Sequence, residues 1–189
     1  MTTYPSLPAV GLSLRQPWAH AVVHLGKGLE NRKWRASFRG PVLLHASGTI
    51  GNRGDFHDAC EILSEHLDEL DWVRFRDEHL GITMAGDKPL FVPRSSIALG
   101  GIIGVARIVD VLAPCAPPAP RQIVKTHTTF RSAFQRRCAH KWHAPEQYAF
   151  VLRDIEPLPF VSCKGALSFF PVASEVVSAL EKKRKDVGT

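Results

Sequence analysis

The sequence predicts an α+β domain in which a mixed, barrel-like β-sheet is flanked by α-helices. Residues 100–111 read Gly-Gly-Ile-Ile-Gly-Val-Ala-Arg-Ile-Val-Asp-Val. This is the strongest strand signal in the chain, and its glycines fit a bent strand. From Asp55 onward, Phe56, Ala59, Cys60, Leu63, Leu67 and Leu70 recur on one helical face, with Glu61, Glu65, Asp68 and Glu69 away from it. That spacing describes one amphipathic helix packed on the sheet. A length of 189 residues with 44% apolar side chains suits one domain, or one domain carrying a long insertion.

The remaining elements follow in order. Val10-Gly11-Leu12-Ser13-Leu14 reads as a short strand after a proline-containing leader. Pro17 sits where a first helical turn tolerates a missing N–H, and Trp18, Ala21, Val22 and Leu25 continue at i, i+3, i+4 and i+7 toward Gly26. Residues 27–34 leave that helix as a loop or strand, and Phe38-Arg39-Gly40-Pro41 turns into an apolar strand over Val42-Leu43-Leu44-His45-Ala46. Residues 77–95, with Gly81, Gly86, Pro89 and Pro93, read as a surface loop. The proline-rich run 113–120 opens a basic, partly helical segment, so that 113–142 reads as an insertion. Strand character resumes over 148–153, is broken by Pro157-Leu158-Pro159, and returns at Leu167-Ser168-Phe169-Phe170. A last helix over Ala173–Lys185, apolar at Val176, Val177 and Leu180, ends in Lys182-Lys183-Arg184-Lys185, a solvated charge run that complements the helix dipole. The domain thus spans 10–171, and 172–189 form a basic helix and tail.

Net charge is +6 with an isoelectric point near 9.4. In the tail, four Lys/Arg against Glu181 and Asp186 give +2, leaving +4 for the rest. A mildly basic body favours polyanionic partners, because cations that neutralise phosphates release condensed counterions. Cys60, Cys115, Cys138 and Cys163 are dispersed without a Cys-x-x-Cys pair and read as reduced thiols. No apolar run approaches the ~18 residues of a membrane span, and the N-terminus lacks the order of a secretion signal. The expectation is a soluble cytoplasmic protein without membrane association.

Three stretches carry a family resemblance: Leu12-Ser13-Leu14-Arg15-Gln16-Pro17-Trp18-Ala19, then Gly26-Lys27-Gly28-Leu29-Glu30-Asn31-Arg32-Lys33-Trp34, then Arg39-Gly40-Pro41-Val42-Leu43-Leu44-His45-Ala46-Ser47. Together with 101–106 and 163–170, over roughly residues 10–171, they resemble the ASCH domain family. The resemblance implies a PUA-like mixed β-barrel and a role in RNA binding or RNA-linked chemistry. Some relatives are similar but smaller, and hydrolyse acetylated cytidine with a lysine, a threonine and a glutamate. Lys27 falls at that lysine. The threonine position is Glu30 here, so the hydroxyl of that pattern is missing, and Glu30 would raise the pKa of a lysine meant to act as base. Lys27 and Glu30 are nevertheless the candidate catalytic pair, and a ribonuclease reading would draw on His45.

Read as chemistry, the same residues make a nucleotide-sized site. Gln16 offers both an acceptor and donors to the mixed edge of a base, and Trp18 or Trp34 offers a stacking face. Lys27, Arg32 and Arg39 supply charge for phosphate, and Glu30 can accept from an exocyclic amine. Arg15, His45 and Ser47 complete the candidate set. The plainer readings place Trp18 in the core and pair Glu30 with Arg32 inside the barrel. His20 and His24 at i, i+4, and Cys138 with His140 and His143, are weak metal candidates; the first two fall off the apolar stripe and read as solvent-facing. No metal or cofactor is expected. The partner implied is RNA or a modified nucleoside, with DNA behind them, and a hydrolase acting on either is the alternative.

Overall fold

A computed structural model describes residues 3–115 and 140–187. Most of the expected insertion therefore lies outside the described residues, as does Cys138. The elements are β1 (Val10–Leu14), α1 (Trp18–His24), β2 (Leu29–Arg32), β3 (Gly40–Ala46), α2 (Arg53–His66), α3 (Glu69–His79), β4 (Leu80–Ala85), β5 (Lys88–Pro93), β6 (Gly101–Leu112), β7 (Tyr148–Ser162), β8 (Phe169–Pro171) and α4 (Ser174–Val187). Six strands form one curled, half-barrel sheet in the order β2-β7-β6-β3-β1-β8. β1 runs parallel to β3, and every other pair in that sheet is antiparallel. No helix among the described residues is long and apolar enough to cross a membrane.

The half-barrel is filled by side chains where the sheet does not close. Leu12 and Leu14 of β1, Val42, Leu44 and Ala46 of β3, Ala106 and Ile108 of β6, and Phe150 and Leu152 of β7 share one core. Each set alternates along its strand, as a pleat requires. Trp34 meets Phe150 and Phe169 edge-on at 5.1 and 5.5 Å, and Phe150 stacks with Phe169 at 6.1 Å. β7 and β8 are thus joined by rings in place of backbone hydrogen bonds. The opposite face of the sheet carries a second core, with Leu43, Ile102, Val105, Phe170 and Leu180.

Four local expectations are corrected. The single helix expected from Asp55 to Leu70 is two: Leu67 is extended, and the Asp68 side chain accepts from Asp71 N to start α3. Leu70 consequently faces solvent, 81% exposed. The surface loop expected over 77–95 is the end of α3 followed by the β4–β5 hairpin, turned at Gly86 with φ 62°. A glycine tolerates that left-handed conformation in a two-residue turn. Pro157 and Pro159 do not end their strand. β2 stops pairing with β7 at Val151, so the later part of β7 lacks that neighbour, and prolines two apart place both missing donors on one side. Cys115 is disulfide-bonded, against the expectation of four reduced thiols, whereas Cys60 and Cys163 are free.

The C-terminal charge run is not simply solvated. Arg184 donates to Tyr4 O at 2.7 Å and lies 3.6 Å from Glu156, Lys183 donates to Phe160 O, and Glu181 accepts from Leu7 N at 2.7 Å. Helix α4 therefore ties the N-terminal segment to β7, with fully buried Leu180 beneath it. Leu180→Ala is expected to lower the free energy of unfolding by about 2–5 kcal/mol, the range for a leucine truncated in a packed core. Urea denaturation measures it.

Candidate functional site

Buried Lys27 and Glu30 and half-buried Arg32 meet as an ionic triad, and the local chain conformation explains why. Helix α1 ends at His24 with Leu25 as its C-cap, and Gly26 adopts φ 67°, the left-handed conformation that glycine accepts after a helix C-terminus. The chain turns at once into β2, where Glu30 and Arg32, two apart, share a face. Asn31 points the other way and grips residues 142–144, donating to Trp142 O at 2.8 Å and accepting from Ala144 N at 2.9 Å. Lys27, 2% exposed, places Nζ 3.4 Å from Glu30 Oε2 and donates to Leu29 O, 5.1 Å from the centre of the Trp18 ring. Arg32 Nη2 lies 3.2 Å from Glu30 Oε1 and donates to the Ser13 carbonyl.

Two cations thus face one carboxylate. Burial lowers the Lys27 pKa and outweighs the opposing effect of Glu30, which raises it through charge and hydrogen bond; Arg32 lowers it further. Arg32 Nε is buried with no acceptor. An unpaired buried donor costs about 1–3 kcal/mol.

Ser13 links this triad to a second group. Parallel pairing sets Ser13 opposite His45, and the two side chains meet at 3.1 Å, Oγ to Nδ1. His45 Nε2 lies 3.1 Å from Cys163 O. A carbonyl only accepts, so Nε2 carries a hydrogen, and burial favours the neutral ring by lowering its pKa. Nδ1 is then the acceptor, and the Ser13 hydroxyl donates to it. A β-bulge between Leu44 and His45 in the pairing with β6 lies at the same point. Ser13, His45 and Ser47 line a cavity of about 410 Å³ whose other wall is the 163–167 loop, with Lys164 and Gly165.

The remaining expected residues are dispersed. Gln16 is buried, donating to Ala98 O at 2.9 Å and accepting from His20 N at 3.0 Å. It borders a different cavity, of about 460 Å³, between α1 and α3. Trp34 belongs to the aromatic seam, and Trp18 packs on the core beneath α1. Arg39 precedes β3, about 26 Å along the strand from Ser47 at ~3.3 Å per strand residue. It donates to Ala36 O and Phe38 O and lies 3.4 Å from Asp110. Arg15 is exposed, near Gly51. Ser13, Lys164 and Gly165 had no sequence signal as site residues, being brought to His45 only by strand pairing and the loop.

His20 is not solvent-facing as expected: its ring packs 5.0 Å from Phe75, 4.7 Å from His24 and 4.5 Å from His79. Burial, followed by the neighbouring histidines, pushes its pKa down to about 3. His143 Nε2 donates to Gln147 O, and His140 Nδ1 accepts from Trp142 N. Among the described residues, no group of three or more His, Cys, Asp or Glu is arranged to hold a metal ion. No family model matches the chain, and no curated protein matches it.

Two outcomes follow from these environments. Glu30→Gln leaves buried Lys27 without a counter-charge beside half-buried Arg32 and is expected to cost about 3–5 kcal/mol in urea denaturation; Lys27→Met, which leaves Glu30 on Arg32, costs less. Because the folded His20 pKa lies below its unfolded value of 6.5, the unfolded chain binds the proton more readily between those values. Stability should therefore fall as pH drops from 6.5 toward 3, and His20→Phe should flatten that slope in unfolding curves taken across the range.

Proposed function

We propose that this chain is a nucleic-acid-binding module of PUA-like type, preferring single-stranded RNA to DNA and taking one nucleotide at the face built from the Lys27–Glu30–Arg32 triad and the Ser13–His45–Ser47 cavity. The observation that carries the reading is the half-buried Arg32, which shares the Glu30 carboxylate with Lys27 and leaves its Nε without an acceptor. Such a centre has room in its hydrogen bonding for an oxygen acceptor of the kind that phosphates and base carbonyls supply. Exposed Arg15 and Lys164 provide cations for the backbone outside it, and the basic balance of the chain favours the same partner. The preference for RNA rests on the resemblance to ASCH domains.

One observation favours a second reading, hydrolysis of a modified nucleoside. Burial dominates the Lys27 environment, so the acidic neighbour does not prevent this lysine from serving as a base. That reading requires a substrate amide to reach Lys27 Nζ, which Leu29 O and Glu30 already engage.

Titration of a fluorescent single-stranded RNA at several salt concentrations tests the proposal. Affinity is expected to fall linearly with salt on logarithmic axes, and to be weaker for DNA of the same sequence. At ~0.7 per phosphate contact on a single strand, Arg15→Ala with Lys164→Ala should reduce that slope by about 1.4. A flat salt dependence, or a double variant with unchanged slope and affinity, would overturn it.

A further inference from the structure

We propose that Ser13 and His45 form an acyl-transfer dyad, with Ser13 Oγ the nucleophile toward a short-chain carboxylic ester and His45 Nδ1 its general base. The arrangement has the parts such chemistry needs: a hydroxyl in hydrogen-bond reach of an imidazole, a third group that orients the imidazole, and a cavity bordered by the serine. Ser13 Oγ lies 3.1 Å from Nδ1, and the Cys163 carbonyl, 3.1 Å from Nε2, holds the tautomer whose lone pair faces the serine. His45 is 2% exposed, with the Phe170 ring edge-on at 5.7 Å, so its position is fixed by packing. Ser13 is only partly buried and borders the cavity of about 410 Å³.

The loop closing that cavity is fitted to the pair. A Cβ on Gly165 would fall 2.3 Å from His45 Cε1 and 2.6 Å from Ser13 Oγ, so this position admits no side chain while the dyad keeps its geometry. Among the described residues, the backbone N–H groups of Lys164, Gly165 and Ala166, on the same wall, donate to no partner. An N–H of this loop would have to serve the oxyanion of a tetrahedral intermediate. The ammonium of Lys164 suits an ester carrying a carboxylate or phosphate elsewhere in the molecule.

The reaction proceeds in two balanced halves. Ser13 Oγ bonds to the ester carbonyl carbon as its proton passes to His45 Nδ1; the carbon–oxygen bond to the alcohol then breaks, and the imidazolium returns the proton to the departing alkoxide. Water next attacks the acyl-serine, giving its proton to Nδ1, and the carboxylic acid leaves as the serine regains its hydrogen. Burial lowers the His45 pKa, so the base stays neutral to lower pH than an exposed histidine would.

The dyad shares its cavity with the face proposed for a nucleotide, but the two readings fail separately, since a chain that binds no RNA can still acylate at Ser13. The full chain would be treated at neutral pH with di-isopropyl fluorophosphate, in native buffer and in urea, followed by peptide mass mapping; p-nitrophenyl acetate hydrolysis would be followed in parallel. The expected result is one adduct on Ser13 in the native protein, none in urea, and nitrophenolate release reduced on the order of 100-fold in Ser13→Ala and in His45→Gln. Release from the native protein should persist as pH falls below 6.5. A native protein without an adduct on Ser13, or a Ser13→Ala variant that releases nitrophenolate at the parent rate, overturns the dyad. The labelling of the native chain decides the question even where a variant fails to fold.

Discussion

A continuous run of buried or half-buried polar groups, from Lys27 through Glu30 and Arg32 to Ser13, His45 and the Cys163 carbonyl, is the constraint on which the rest of this structure depends. Each member sits where an unmade hydrogen bond or unpaired charge is costly, so each needs its neighbour in place. The run crosses the molecule. It starts just before edge strand β2, reaches β1 near the other edge of the sheet through Arg32, passes sideways to β3 and ends on the loop before β8. A half-barrel without hydrogen bonds between its edges is thereby held across its interior by charge and by the rings of Trp34, Phe150 and Phe169.

The polar run also explains where chemistry is concentrated. Strand β1 lies beside β3 in the same direction, so the ends of both deliver their side chains to one place, and the bulge at Leu44/His45 lies there too. Ser13 takes part at two levels, its carbonyl holding Arg32 and its hydroxyl meeting His45. A ligand that perturbs the triad would therefore be felt at His45 through one intervening residue. The cleft between α1 and α3 is chemically different: its three histidines all have lowered pKa values, each chiefly through burial.

Stability and site share elements. Helix α1 buries Ala21 and Val22 in the two cores beneath it, and its end delivers Lys27. Gln16, expected to face a base, uses its amide to fasten the start of that helix to the 94–98 segment. A side chain with both a donor and an acceptor suits either task. Here both its amide atoms meet backbone groups, Ala98 O and His20 N.

Much of the architecture follows from local pattern. The spans of β1, α1, β3, β6 and α4 are legible because alternation and the 3.6-residue period reflect one buried face each. The triad, too, is written in local spacing, since residues two apart in a strand share a side and a glycine after a helix turns the chain into it. The break at Asp68 was concealed by an apolar period that runs through it, and the prolines of β7 are tolerated only because β2 is short. The pairing of Ser13 with His45 lies 32 residues apart in sequence. It depends on the register of two parallel strands and on the loop that returns to cover them, and such contacts are set by the packing of the whole sheet, which no local period encodes.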